Sequence, residues 1–521
     1  MNSIWASLLW KEWREHRLII AVLGAAAVLV PMAFSLRNLS NIVPAVTFCL
    51  FTIPAISMFI GMNIAGREQS AGTIRFLQSL PITGRRPATA KLLWASISIT
   101  IPVLLMVGTA ALWIQMLPES AASEAINADQ GIYGGKGGAG AWYVIRVLAA
   151  IASGVSILIW MTACGVNRTD EVRAGAIGFL VMSGYWALLT LFAYLADMKG
   201  PEPAMRVLMA TAPAGIVASS NTNLQGGLAV EFWSRNWFVL AAAAISHGAL
   251  LAWYIGSYGR IVPGRPQTVE REAPVTTVAW LAPPWRRPLT AILWKQIRES
   301  APLPLLASGC ILAIAFIAGW AVPRYDAAAS AFDVMEVTYA LWMMVGCMVA
   351  TVAGVGIFME DLRPGLHTFW RSRPINVDQW FVVKFVVGLL STIVTLAIPL
   401  LLAAAYVSLT TDRAELSRLL ESGEARQMIV MGLFTQVSFY TAAVAAMVVV
   451  RQPIYAVVIA IAGVGLSVAL GGWLLETLHR QVFWHRHEIT TLVAFALFLF
   501  AMLAATAFAW VALRRDWGWK R

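Results

Sequence analysis

GREQSAGTIRFLQSLPI (Gly66–Ile82) and MEDLRPGLHTFWRSRPI (Met359–Ile375) are two similar stretches, and each directly follows a long apolar run. We call them the first and second matched segments. An offset of 293 positions aligns their shared residues, namely Glu68 with Asp361, Gly72 with Gly365, Phe76 with Phe369, Ser79 with Ser372, Pro81 with Pro374, Ile82 with Ile375 and, just beyond, Lys91 with Lys384. The match predicts that the chain contains two copies of one structural unit.

The composition of the 521-residue chain is that of an integral membrane protein. Hydrophobic residues make up 59% and charged residues 12%, against about 45–50% and 25% in soluble domains. The net charge of +11 comes from basic residues that cluster between apolar runs. This placement indicates topology control and contact with anionic membrane lipids, and it does not favour nucleic-acid binding.

Apolar runs of membrane-spanning length, about 20 residues, occur in two sets of six. The first set is near residues 18–36, 43–65, 92–117, 142–166, 173–196 and 236–257, and the second near 303–322, 337–358, 381–408, 428–450, 453–475 and 490–513. We therefore predict an all-α integral membrane protein with about 12 transmembrane helices.

Lysine and arginine set the predicted orientation. If the N-terminus is cytoplasmic, 26 of the 38 basic residues lie on the cytoplasmic side, as the positive-inside rule requires. We expect a multi-pass protein of the cytoplasmic membrane with both termini in the cytoplasm. Because each half has an even number of spans, the two six-helix repeats are predicted to be parallel.

The predicted halves are residues 1–257 and 289–521, joined by a cytoplasmic linker of residues 258–288 that is rich in proline. Each half opens with a similar motif, LLWKEWRE (Leu8–Glu15) and ILWKQIRE (Ile292–Glu299), at an offset of 284. Apolar residues at helical spacing in residues 4–17 predict an interfacial elbow helix at the start of each half. The alternative is that this stretch is only the polar first part of the first span.

The matched segments are candidate docking elements. In the first, Thr73–Leu80 predicts a short helix that Pro81 ends, because the residue before proline disfavours the helical conformation. A short helix held at the membrane surface can insert into a groove of a soluble partner. The alternative is a loop without a docking role that its arginines retain on the cytoplasmic side. That alternative does not explain why Gly, Phe, Ser, Pro, Ile and Lys recur in register.

The stretch from Glu68 to Lys91 resembles the cytoplasmic loop between spans two and three of permeases of ABC transporters of the type 2, exporter class. In that family the loop is a short coupling helix that seats in the ATP-binding subunit, and a re-entrant helical hairpin lies between spans five and six. By resemblance, the coupling positions are, in the first copy, Glu68, Gly72, Thr73, Leu77, Pro81 and Lys91, and in the second copy, Asp361, Gly365, Phe369, Pro374 and Lys384. Leu366 stands where the first copy has Thr73, so the second docking contact is not expected to be equivalent.

The chain has no nucleotide-binding motif of its own. Its only Gly-Lys pair, Gly135-Lys136, lacks the preceding glycine at P-loop spacing. The resemblance therefore implies a non-enzymatic chain that uses ATP and Mg²⁺ bound to a separate ABC ATP-binding subunit, in two copies. We expect no cofactor or catalytic residue in this chain. We also expect no metal site, since His485 and His487, at i and i+2, do not share a helical face.

Three functions remain open at this point. The first is the permease of an ATP-driven exporter whose substrate the sequence does not identify. The second is an ion-coupled secondary transporter, which predicts buried carboxylates or broken helices at matching places in both halves. The spans show no such set of carboxylates, but they contain prolines, at Pro44, Pro54, Pro102, Pro399 and Pro453. The third is a non-transporting membrane sensor or assembly partner of an ATPase, in which the duplicated segments only recruit a protein.

Overall fold

The structure is a computed structural model that describes most of the chain. The described residues are 2–35, 42–70, 83–115, 139–168, 171–195, 203–215, 236–259, 288–325, 331–359, 361–362, 376–410, 424–481 and 487–516. Within these ranges the regular structure is entirely α-helical, which confirms the predicted all-α class.

Fourteen helices lie within the described ranges. In chain order they are α1 (Asn2–Ser35), α2 (Ile42–Ser70), α3 (Arg85–Gln115), α4 (Ala139–Gly165), α5 (Glu171–Leu195), α6 (Pro203–Thr211), α7 (Trp237–Ser257), α8 (Pro288–Ser300), α9 (Pro302–Tyr325), α10 (Ala331–Met359), α11 (Val377–Thr410), α12 (Glu424–Val450), α13 (Pro453–Gln481) and α14 (His487–Arg514). Most are apolar on all sides, as helices in a membrane are, because lipid replaces water around them.

Nine helical stretches, counted over the described residues, are long and apolar enough to cross a membrane, and one of them runs from α8 into α9. The nine stretches are Ile4–Ala33, Arg85–Leu112, Val147–Gly165, Trp237–Ser257, Ile292–Phe316, Met335–Met359, Val377–Thr410, Ile429–Val450 and Ala496–Arg514. The other three predicted spans lie in α2, α5 and α13, whose apolar stretches are shorter: Ile53–Gly66, Ala174–Leu189 and Pro453–Val468. The structure thus agrees with a multi-pass helical membrane protein.

The predicted elbow at the start of the first half is wrong as a separate helix. Helix α1 runs without interruption from Asn2 to Ser35, because its first turns contain neither proline nor glycine to break them. The corresponding helix of the second half, α8, does end separately at Ser300, and Pro302 opens α9. The polar start of the first half is therefore the first part of its span.

The chain divides into two compact units. The first contains Met1–Tyr258, Trp320–Ala327 and Val458–Ala501, and the second contains Gly259–Gly319, Ala328–Val457 and Met502–Arg521. One boundary falls between Tyr258 and Gly259, next to the predicted end of the first half. The predicted assignment of all of residues 289–521 to one half stays a prediction.

Each unit is organised around one central helix. In the first unit, α2 packs against α1, α3, α4 and α5, and in the second, α10 packs against α8, α11 and α12. Glycine permits the closest of these approaches. A Cβ on Gly61 would lie 2.7 Å from Cβ of Met161 on α4, and one on Gly354 would lie 2.6 Å from the carbonyl oxygen of Tyr440 on α12. Small residues at such contacts are typical of helix packing in membranes.

Candidate functional site: two buried ion clusters at the matched segments

The structure describes four of the predicted docking residues and brings them together in two pairs. Glu68 pairs with Lys91 and Asp361 pairs with Lys384. The other seven lie outside the described residues, namely Gly72, Thr73, Leu77, Pro81, Gly365, Phe369 and Pro374.

Each pair connects the helices that flank one matched segment. Glu68 lies in the last turn of α2, and Lys91 lies in the second turn of α3. Asp361 follows the end of α10, and Lys384 lies in the second turn of α11. Each ion pair therefore joins the start of a matched segment to the helix that follows the segment.

The first ion cluster consists of Lys11, Glu12, Glu68 and Lys91. The Lys91 ammonium group lies 3.1 Å from Oε1 of Glu12 and 2.9 Å from Oε1 of Glu68. Lys11 donates a 2.7 Å hydrogen bond to Glu68 and lies 3.7 Å from Glu12. Two lysines and two glutamates thus alternate, and they tie α1 to α2 and α3.

Because the first ion cluster is buried, each of its charges must be paired with an opposite charge. Glu12 is 1% exposed, Lys91 3% and Glu68 6%, and a buried charge is tolerated only where it is paired and hydrogen-bonded.

Tyr258, at the end of α7, lies beside the cluster. Its own burial and then the carboxylates of Glu68 and Glu12 raise the pKa of Tyr258 well above its usual range. Tyr258 is therefore neutral, and the lysines carry the positive charge of the cluster.

The second ion cluster consists of Lys295, Asp361 and Lys384. Lys384 donates hydrogen bonds to the Asp361 carboxylate and, at 2.9 Å, to the carbonyl oxygen of Ile357. Lys295 lies 3.7 Å from Asp361. The Lys384 ammonium group also lies 5.8 Å from the ring centre of Phe358 and 5.6 Å from that of Trp380, within the usual range of a cation–π contact.

The observed burial changes the interpretation of these four residues. Sequence alone assigned Glu68, Lys91, Asp361 and Lys384 to contact with a partner, but each is at most 6% exposed. Each bonds to a side chain of its own chain. Their recurrence is therefore explained by mutual pairing, and we assign them to holding the ends of the matched segments.

Glu12 and Lys11 belong to the first ion cluster but were not among the predicted site residues. Both are polar residues of the first opening motif, LLWKEWRE. The sequence did contain a signal, because Leu8, Glu12, His16 and Ile19 are spaced to share one face of a helix. In the structure all four are buried. A glutamate on an otherwise buried helix face indicates a buried partner of opposite charge.

A second polar group in the first unit holds the segment Pro203–Gly215. This segment contains α6 and a turn, and it follows α5 in the chain. The Tyr185 hydroxyl lies 2.5 Å from Oγ1 of Thr211, which itself donates to the carbonyl oxygen of Leu208. Trp186 donates a 3.1 Å hydrogen bond from Nε1 to the carbonyl oxygen of Pro213. The Tyr185 hydroxyl and the Trp186 N–H, midway along α5, thus form hydrogen bonds with α6 and the turn that follows it.

His247 fixes the same turn from the other side. Its Nδ1 lies 2.8 Å from the carbonyl oxygen of Ala243 and must donate to it, so Nε2 is the acceptor for the Ser156 hydroxyl at 2.6 Å. The Ser156 oxygen in turn accepts the backbone N–H of Ala214 at 3.0 Å. No local sequence pattern relates these residues, because Ser156 and Ala214 are far from His247 in the chain.

We expect Ser156→Ala to loosen this turn. The change leaves the half-buried N–H of Ala214 and the buried Nε2 of His247 without their partner, which costs about 1–3 kcal/mol. Hydrogen exchange in Met205–Gly215 should accelerate roughly tenfold, as mass spectrometry of the purified protein can measure. Thr162→Val is the matched control, because the Thr162 hydroxyl on the same helix bonds only to Leu158 and Ile159 carbonyls. Equal exchange in both variants would contradict the assignment.

Within each unit, one side-chain hydrogen bond joins the ends of two helices of that unit. Asn167, which follows α4, has φ = 61° and donates a 2.6 Å hydrogen bond to the carbonyl oxygen of Ser257 at the end of α7. Arg451, which follows α12, has φ = 54° and donates to the carboxylate of Asp516 beyond α14. The offset of 284 that relates the opening motifs also relates Asn167 to Arg451.

Within the ranges that the structure describes, no three His, Cys, Asp or Glu side chains lie close enough together to hold a metal ion. No protein-family model, curated protein or solved structure matches the chain.

Proposed function

We propose that the chain is the membrane permease of an ATP-driven exporter of the ABC type 2 class. In this proposal, two parallel six-helix halves lie in the cytoplasmic membrane with both termini in the cytoplasm. The matched segments form coupling helices that dock onto ATP-binding subunits, one at each half. ATP and Mg²⁺ bind to those subunits, where the energy of hydrolysis is supplied.

The observation that carries the proposal is the recurrence of the buried ion pair at both matched segments. Glu68–Lys91 and Asp361–Lys384 are related by the same offset of 293 and join equivalent helix ends. A docking loop transmits movement of its partner to the two helices that flank the loop. Both ends of the loop must therefore be held rigidly on those helices. A buried ion pair holds the two ends together, because separating the pair would leave two unpaired charges in the protein interior.

The parallel contacts of the two units support the duplication in this proposal. Gly61 on α2 and Gly354 on α10 are related by the offset of 293, and each lies at a close helix contact. Asn167 and Arg451 each link the end of one helix to the end of another. These contacts recur in regions of low sequence similarity, as expected for two copies of one fold.

The segment Pro203–Gly215 supports the resemblance at a second place. The family has a re-entrant hairpin between spans five and six, and this segment lies between α5 and α7. Its turn packs against Tyr185 and Ser156, which lie midway along their helices. In the proposed topology the turn lies within the membrane, and the segment enters from the outer side.

The buried carboxylates do not favour an ion-coupled secondary transporter. Among the described residues, the buried acidic side chains are Glu12, Glu68 and Asp361, and all three pair with lysine. Carboxylates within membrane spans commonly mark ion pathways, but these three lie in the ion clusters beside the matched segments. The described helices therefore offer better support for energy supplied by a partner.

The docking proposal is tested by co-purification from the native host. The wild-type chain should retain a P-loop ATPase, and Gly72→Asp combined with Leu77→Asp should reduce its recovery at least about tenfold, as expected for the loss of an interface hot spot. Gly135→Asp, in the predicted outer loop, serves as control and should not reduce recovery. Undiminished association of the double variant would refute docking by the first matched segment.

The same preparation distinguishes the alternatives. Reconstituted transport that stops without ATP supports the exporter. Transport that continues without ATP and stops when the ion gradient is removed favours the secondary transporter. An ATPase that binds and hydrolyses ATP while no lipid or solute moves favours a sensor or assembly partner.

A further inference from the structure

The opening helices of the two halves repeat an exposed tryptophan and an exposed arginine. Trp10 and Arg14 of α1 correspond to Trp294 and Arg298 of α8 at the offset of 284. The two indoles are 61% and 52% exposed, and both arginines are exposed as well. Residues four positions apart lie side by side on one face of a helix, and in α1 the exposed Arg17 extends this face. We call Trp10, Arg14 and Arg17 the first Trp–Arg face, and Trp294 with Arg298 the second.

Each Trp–Arg face lies opposite the side of its helix that packs inside the protein. Glu12, two positions after Trp10, is 1% exposed and pairs with Lys91. Gln296, two positions after Trp294, is also 1% exposed. Because successive residues turn by about 100° around a helix, a step of two positions places side chains on nearly opposite sides. The Trp–Arg faces are therefore turned towards the surroundings of the two helices.

The excess charge of these faces is positive. The last glutamate of each motif lies beside a lysine, because Glu15 is 3.9 Å from Lys11 and Glu299 is 3.6 Å from Lys295. The arginines of the Trp–Arg faces therefore add positive charge beyond the matched pairs. A guanidinium group forms two parallel hydrogen bonds with a phosphate group, which an ammonium group does not. The chemistry of the faces complements an anionic phosphate.

In the proposed topology, both faces lie at the depth of lipid headgroups. The first apolar run begins near residue 18, directly after Arg17, and the helical rise places Arg14 about 4–5 Å further out. Arg298 likewise lies shortly before the run near residues 303–322. The headgroup region on each side of the hydrocarbon core is about 5–8 Å thick. Long helical side chains lean towards the N-terminus, which carries each guanidinium group towards the indole that precedes it and into this region.

We propose that each Trp–Arg face binds one anionic phospholipid of the cytoplasmic leaflet, with arginine on the phosphate and the indole against the upper part of the lipid. Topology control requires positive charge alone, and it does not require an indole one helix turn before the arginine in both halves. Arg17 corresponds to Ala301 at the offset of 284, so the first face has two arginines and binds its lipid more tightly than the second. The inference does not depend on docking of an ATPase.

Native mass spectrometry of the purified full chain, titrated in detergent with phosphatidylglycerol, tests the proposal. The wild type should bind two of these lipids at least about tenfold more tightly than phosphatidylcholine, because only the former has a net negative charge for the arginines to attract. Arg14→Lys combined with Arg17→Lys should weaken the tighter site about tenfold, since lysine keeps the charge but loses the paired hydrogen bonds. Arg298→Lys should weaken only the other site.

Arg85→Lys is the matched control, because Arg85 is an exposed arginine at the start of α3 that belongs to neither Trp–Arg face, and it should change neither site. The lysine variants conserve charge, so they separate a headgroup site from general attraction of anionic lipid. Lysine variants that bind phosphatidylglycerol as the wild type does would overturn the inference, and so would equal binding of phosphatidylcholine. A large excess of inorganic phosphate should not displace the lipid, since it has no acyl chains. Displacement would show a site for free phosphate instead.

Discussion

Lys91→Met is expected to destabilise the protein more than any other single change discussed above. Lys91 is 3% exposed and is shared by two carboxylates, Glu12 and Glu68. Methionine fills a similar volume but leaves those carboxylates facing each other without the charge between them. Breaking a buried ion pair by removing one partner costs about 3–5 kcal/mol. The loss can be measured from thermal unfolding of the detergent-solubilised protein, followed by tryptophan fluorescence.

Lys11→Met is the matched control for this prediction. Lys11 bonds to the same Glu68, but its side chain is 38% exposed, and water screens an exposed pair so that it contributes at most about 1 kcal/mol. A further variant, Lys91→Met with Glu12→Gln and Glu68→Gln, removes the stranded charges and should recover much of the stability. A Lys91→Met protein as stable as Lys11→Met would show that the cluster contributes little to the fold.

Gly354→Val is expected to have the second largest effect. A Cβ at this position would lie 2.6 Å from the carbonyl oxygen of Tyr440 and 3.0 Å from Cβ of Ala443. Both belong to the helix backbone or to its first side-chain atom, so neither can rotate away. Forcing α10 and α12 apart costs about 1–3 kcal/mol or more, and the same unfolding measurement should detect it.

Gly356→Val is the control, because it lies on the same helix and a Cβ there meets no atom within 4 Å. Valine is a better helix former than glycine, so this variant should be at least as stable as the wild type. Gly61→Val should behave like Gly354→Val if the two glycines have equivalent roles. Equal stability of the Gly354 and Gly356 variants would contradict the close contact between α10 and α12.

Hydrophobicity predicted the helices well because it depends on local sequence alone. Runs of about 20 apolar residues form helices in lipid, since every backbone hydrogen bond must be satisfied within the segment. The same reasoning misjudged the start of the first half. Residues 4–17 have the composition of an interfacial helix, but without a proline such as Pro302 of the second half the helix continues.

The recurrence of charges in the matched segments was visible in the sequence, but the partners of these charges within the chain were not. Glu68 and Lys91 recur as Asp361 and Lys384, and sequence alone does not say whether a recurring charge faces a partner or another residue of its own chain. Burial decides this question, and burial depends on how α2 and α3 pack. The structure shows both charges inside, paired with each other.

Residue type and spacing are enough to predict the helical membrane class, the apolar runs and the register that relates the two matched segments. Which polar residues meet depends on the tertiary structure. Glu12 with Lys91 and Ser156 with His247 are 79 and 91 residues apart. Pairs so distant leave no local pattern, since the free energy of a buried contact depends on helix packing and not on neighbours in the chain.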